Sequence, residues 1–145
     1  MSTSPPASAA ELKTRALRYL ARREHSRAEL ARKLAPYAES EEALAALLDE
    51  LVLKRQLSDE RYAELRAHWL GRKYGAARIR QDLKAHGVSA HVSDAGDLEK
   101  ARAILARKYR GAPGTLEEKA RRARFLQSRG FSHEIIRQLL SARHE

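Results

Sequence analysis

The chain has 145 residues, with 29 Lys and Arg against 19 Asp and Glu, a formal net charge of +10 and no cysteine. Disulfides and thiolate metal sites are excluded, so the fold must rest on apolar packing, and an anionic partner is the first class to consider. No stretch is long and apolar enough to span a bilayer, which argues against a membrane protein.

Residues 1–10 are rich in Ser, Pro and Ala and lack the basic start and apolar run of a signal peptide. They read as a disordered leader, and a cytoplasmic location is expected. Beyond them Ala, Leu, Arg, Glu and Lys dominate, with few β-branched residues and little Gly or Pro, so propensity favours helix almost throughout.

The first helix follows from Ala9, Leu12, Ala16, Tyr19 and Leu20, which share one side of a 3.6-residue period, opposite Glu11, Arg15, Arg18 and Arg22. Ser8 with Glu11 forms a capping box at its start. A second box, Ser26 with Glu29, opens a short helix bearing Leu30 and Leu34, which Pro36 must end. Ser40, Glu41 and Glu42 begin a third, with Leu44, Leu47, Leu48 and Leu51 on its apolar stripe.

The pattern restarts at Ser58. Asp59 and Glu60 suit the positive end of a helix, and Tyr62, Leu65 and Trp69 form its expected apolar row. Gly75 breaks that helix, and the next carries Ile79 and Leu83 and stops at Gly87 in a left-handed conformation. A short third helix is expected through Val88 to Ala95. A third round spans Asp97 to Tyr109, breaks at Gly111-Ala112-Pro113-Gly114, and resumes with the capping box Thr115 and Glu118. Leu126 to Phe131 repeats the layout of Leu83 to Val88, and Ser132 starts a final helix carrying Ile135, Ile136, Leu139 and Leu140.

Basic pairs close each first helix, at Arg22-Arg23, Arg72-Lys73 and Arg107-Lys108. The expected fold is therefore all-α: three tandem three-helix, helix-turn-helix-like repeats over 11–57, 58–96 and 97–145, in an elongated, curved array.

No catalytic chemistry emerges. His133-Glu134 begins like a zinc-protease motif, but Arg137 stands where the second histidine is required, and the other histidines are scattered. The Gly111–Gly114 segment lies between helices and lacks the Gly-Lys-Ser/Thr of a phosphate loop. Asp59 and Glu60 diverge around a helix axis and need no acid–base role. The expectation is no enzyme, no metal and no cofactor.

What remains is the distribution of charge. Arg72, Lys73, Arg78, Arg80 and Lys84 cluster about the second repeat, and Lys119, Arg121, Arg122, Arg124 and Arg129 crowd the third, whereas the stretch from Glu39 to Glu64 is acidic. Solvated helix faces would also carry such residues, but a polarised surplus fits a cationic binding surface better. Tyr19, Tyr62, Trp69, Tyr74, Tyr109 and Phe131 are expected in or beside the core.

Several of these residues also form a recognisable ensemble. Tyr19-Leu20, Arg23-Glu24-His25-Ser26, Glu29-Leu30, Leu57 to Ala63, Tyr74-Gly75, Arg78 to Leu83 and Arg129-Gly130-Phe131-Ser132, in that order, resemble the RecX family over almost the whole chain after the leader. The resemblance implies three-helix repeats that regulate the RecA recombinase by lying in the groove of its filament on DNA. It implies suppression of ATP hydrolysis, strand exchange and coprotease activity, in DNA repair and the SOS response. The ten basic residues just named are then the candidate contacts, with RecA and both single- and double-stranded DNA as candidate partners and a monomer as the expected state. Two other readings stay open: a helix-turn-helix DNA-binding protein independent of a recombinase, and a basic helical assembly adaptor.

Overall fold

A computed structural model describes residues 6–141. Among them are eight α-helices and no strand: α1 (Ala9–Arg22), α2 (Arg27–Leu34), α3 (Glu41–Leu53), α4 (Asp59–Leu70), α5 (Ala76–Ala85), α6 (Asp97–Lys108), α7 (Leu116–Ser128) and α8 (His133–Leu140). The all-α expectation holds, with three helices in the first and third rounds.

Local sequence sets the helix starts. The hydroxyls of Ser8, Ser26, Ser40, Thr115 and Ser132 each accept the backbone N–H three residues on, satisfying a donor that has no partner within its helix. Ser58 does the same for Arg61 at 3.1 Å. Helix α2 stops at Leu34 and passes into a 3-10 turn over Ala35–Tyr37 that contains Pro36.

Three expectations need correction. The helix foreseen through Val88 to Ala95 does not form: residues 88–94 are irregular, and Arg80 Nη1 on α5 donates to the Val92 carbonyl at 2.7 Å. Ser, Gly and Asp compete there for backbone hydrogen bonds, and the segment gains tertiary anchoring in their place. Ordered structure reaches into the expected leader. Its residues 1–5 lie outside the described residues, but the Ala7 amide already donates to the Tyr37 carbonyl at 2.9 Å and α1 begins at Ala9. Lastly, α4 buries Tyr62, Ala63 and Leu70 and exposes Leu65 and Trp69. Tyr62, Ala63 and Leu70 define the buried side, with Arg66 and Ala67 half-buried between them, and Leu65 and Trp69 fall along its exposed edge.

The chain divides into two compact units that do not follow the sequence repeats. Unit 1 contains residues up to Leu65 together with Lys84–Val88, and unit 2 contains Arg66–Leu83 and everything from Ser89 onward. Helices α4 and α5 each run from one unit into the other.

The core of unit 1 is built from leucines: Leu12 on α1, Leu30 and Leu34 on α2, Leu44, Leu47, Leu48 and Leu51 on α3, and Leu57 beyond it. Unbranched at Cβ, leucine combines high helix propensity with a large apolar volume, so one residue type serves both needs. At the edge of this core, Asp59 Oδ1 accepts the N–H of Arg27, the first residue of α2, at 2.7 Å. Ser26 Oγ donates to the His86 carbonyl at 3.1 Å. Gly87 follows with φ 77°, and a Cβ there would lie 2.5 Å from that of Ala28.

Unit 2 repeats this joint. Asp97 Oδ2, on the first residue of α6, accepts the N–H of Ala76, the first residue of α5, at 3.0 Å. The turn after α7 docks on the start of α5: Gly75 N–H donates to the Arg129 carbonyl at 2.7 Å. Gly130, at φ 90°, lies where a Cβ would collide with Arg78. In each unit, then, the turn closing one repeat's second helix seats against the N-terminus of the preceding repeat's second helix. An aspartate locks the seat. The rest of unit 2 packs on Ala101, Ile104, Leu126, Phe131, Ile136 and Leu140.

Candidate functional site

Charge separates cleanly between the two units. Unit 2 carries sixteen Lys and Arg against seven Asp and Glu in its described residues, whereas unit 1 carries twelve against eleven. Nearly all of the surplus of +10 therefore belongs to unit 2, and unit 1 is close to neutral.

Within unit 2 the cations divide by task. The carbonyls that end α4 and form the following turn each meet one: Arg107 Nη2 donates to Arg72 O at 3.0 Å, Arg129 Nη1 to Lys73 O at 3.4 Å, and Lys100 Nζ to Tyr74 O at 3.4 Å. Cations suit this position because the helix C-terminus carries partial negative charge and unpaired carbonyls. Arg78 Nη1 donates to Ser128 O at 2.7 Å, and the guanidinium groups of Arg78 and Arg129 lie 4.8 and 5.5 Å from the centre of the Tyr74 ring. Tyr74 thus holds two cations against one aromatic ring.

Arg122 differs from the other candidates. It is 7% exposed, its Nη1 and Nη2 donate to the carbonyls of Gly111 and Arg110 at 2.7 and 3.3 Å, and its guanidinium stacks 4.8 Å from the centre of Tyr109. This arginine pins the α6–α7 linker and is not available to a partner. Flanked by Arg121 and Arg124 and with Glu118 and Lys119 one turn before it, it carried no sequence signal to separate it from its neighbours.

The remaining positions are accessible. Arg72, Lys73, Arg121 and Arg124 are exposed, and among the described residues no carboxylate pairs with any of them. Arg121 and Arg124, three residues apart, share the outer face of α7 opposite the buried row through Arg122 and Leu126. Lys119 is half-buried, Arg80 is exposed but tied to Val92, and Lys84 is exposed within unit 1. The ten sequence candidates are therefore not one patch. Arg72, Lys73, Arg78 and Arg129 gather about Tyr74, Arg121 and Arg124 form a second cationic face of unit 2, and Arg122 is structural.

Beside Tyr74 lies an open groove of about 490 Å³, walled by Trp69, Leu70, Arg72, Lys73, Arg66 and Asp82. Trp69 is 62% exposed, an aromatic that sequence periodicity had assigned to the core. Arg66 forks onto Asp82, Nε to Oδ1 at 2.8 Å and Nη2 to Oδ2 at 3.0 Å, fixing the groove wall.

Among the described residues no group of three or more His, Cys, Asp or Glu converges as a metal site would require. No helix there is long and apolar enough to cross a membrane. Capping hydroxyls, apolar stripes and unpaired surface cations together define a helical-repeat protein with one strongly cationic unit.

Comparison with known families narrows the class. The models of the RecX first, second and third three-helix domains match residues 13–51, 58–96 and 95–140. The chain belongs to the RecX family. It is 46% identical over 141 residues to a regulatory protein RecX of Herbaspirillum seropedicae and 47% identical over 142 residues to one of Leptothrix cholodnii, covering 92% of this chain and 90% of each relative. The crystal structure of RecX from Lactobacillus salivarius shares the fold, with a TM-score of 0.72 at 21% identity, over 92% of this chain and 96% of that one. The relatives are named as regulatory proteins, which points to a non-enzymatic role.

Proposed function

We propose that the protein regulates the RecA recombinase by binding its filament on DNA and restraining ATP hydrolysis, strand exchange and coprotease activity. It would act in DNA repair and the SOS response, in the cytoplasm and as a monomer. The observation that carries this reading is the concentration of unpaired, exposed cations on unit 2, in a chain of the RecX family. A nucleoprotein filament is a polyanion, and cations without carboxylate partners bind it without first breaking ion pairs. A binder that contacts neighbouring protomers would resist the movements between ATP-dependent states, because it stabilises one arrangement over the other.

Arg72, Lys73, Arg78, Arg121, Arg124 and Arg129 are the proposed contacts, with Lys84, Lys119 and Arg80 secondary and Arg122 withdrawn to a structural role. The test is RecA-catalysed ATP hydrolysis on single-stranded DNA with increasing protein, extended to substoichiometric ratios. Dose-dependent inhibition that the combined Arg72→Glu, Lys73→Glu, Arg121→Glu and Arg124→Glu variant loses, at unchanged helicity, supports the reading. Unchanged hydrolysis with tight binding to one duplex sequence would point instead to a sequence-specific DNA-binding protein.

A further inference from the structure

We infer that the groove beside Trp69 is a subsite for single-stranded nucleic acid, in which the indole stacks on an unpaired base while Arg72, Lys73 and Arg78 neutralise the flanking phosphates. The inference deepens the filament-binding reading and rests on it for its biological setting, but the chemistry of the groove is argued from unit 2 alone.

Trp69 carries the argument. Indole is among the largest apolar surfaces a side chain offers, and leaving 62% of it in water forgoes burial that α4 gives to Tyr62, Ala63 and Leu70. More than half of the residue's surface remains in water. The nearest cation, the Arg66 guanidinium, is held 5.8 Å from its centre by the fork onto Asp82. The ring therefore stays open to a planar partner.

The surroundings select the kind of partner. Arg72 and Lys73 are exposed on the turn that follows Trp69, and Arg78 lines the same groove. Sixteen cations against seven carboxylates in this unit favour a ligand of high and regular negative charge. An acidic peptide fits less well, since its carboxylates are irregularly spaced, whereas a nucleotide strand carries one negative charge per residue at a regular interval. A nucleobase offers a flat face to the indole. Paired bases keep their faces inside the duplex stack, so stacking at this site discriminates for unpaired strands.

The chain has one tryptophan, so its own fluorescence reports on the site. The full-length protein is titrated with oligothymidylate, with a blunt duplex of equal length, and with polyglutamate, at low and raised salt and without recombinase. Quenching by oligothymidylate alone, reversed by salt, is the expected result. Trp69→Ala, measured with a dye-labelled strand, should weaken single-strand binding about 5- to 100-fold, with Trp69→Phe intermediate and duplex affinity unchanged. Equal quenching by polyglutamate or by duplex overturns the proposal, as does unchanged single-strand affinity in Trp69→Ala at wild-type helicity. The two readings fail separately. Absent quenching with intact inhibition of RecA hydrolysis removes the base-stacking subsite alone, whereas strand-selective quenching without such inhibition retains the subsite and removes the filament role.

Discussion

Asp97 caps a helix to which it does not belong: its Oδ2 accepts the N–H of Ala76 at 3.0 Å, while its Oδ1 lies 3.3 Å from Lys100 Nζ. Asp59 stands in the same relation to Arg27. Both aspartates are the first residue of a repeat's first helix, and both complete the N-terminus of the preceding repeat's second helix, where the dipole favours negative charge. Asp97→Ala leaves a buried N–H without a partner and should destabilise the protein by about 1–3 kcal/mol. Asp97→Asn should recover part of that. Urea denaturation followed by circular dichroism measures both, and an Asp97→Ala protein as stable as wild type would contradict a locking role.

Gly130 sits at φ 90° with its Cα against Arg78. A methyl group there is strained by backbone conformation and by contact, so Gly130→Ala should cost more than about 1 kcal/mol. The damage should concentrate at the α5–α7 joint, and hydrogen exchange at the Gly75 amide is the measurement that localises it.

The arginines of α7 should separate by role. Arg122→Ala removes two charge-assisted hydrogen bonds and buried packing, and a loss of about 1–3 kcal/mol is expected on denaturation. Arg121→Glu with Arg124→Glu touches exposed, unpaired side chains, so stability should move by no more than about 0.5 kcal/mol while inhibition of RecA hydrolysis weakens. A larger stability loss in the double variant than in Arg122→Ala would contradict this division of roles.

Acid should loosen unit 1 through two neighbours. His25 is buried, its Nδ1 donates to the Arg23 carbonyl at 3.1 Å, and its Nε2 accepts from Lys33 Nζ at 2.9 Å. Burial holds its pKa below the ordinary 6.5 of histidine, opposed by the Arg23 carbonyl. The unfolded chain thus takes up the proton more readily, so this contribution is complete above pH 6.5 and is lost as pH falls from there through the folded value. Glu29, hydrogen-bonded to Arg23, has its pKa lowered from 4.5 to about 2, and its contribution is lost between those values. The melting temperature should therefore fall in two stages on acidification. In His25→Gln the first stage should shrink and the second remain, as followed by thermal melts from pH 7.5 to 3.

Sequence alone determined most of the helices, because each start carries its own cap and each buried stripe its own leucines, and these are interactions within about four residues. It also determined that the charge is polarised and, through an ordered set of short motifs, the family. Tertiary structure decided what periodicity could not. The row of Tyr62, Leu65 and Trp69 has a helical period, but the side on which α4 finds its neighbours turned Leu65 and Trp69 outward. Likewise Arg121 and Arg122 are equivalent as adjacent cations in a sequence, and only the position of the α6–α7 linker carbonyls makes one a pin and leaves the other exposed. Local pattern fixes which residues can face inward; packing of distant segments selects which of them do, because burial is a property of the contact and not of the residue.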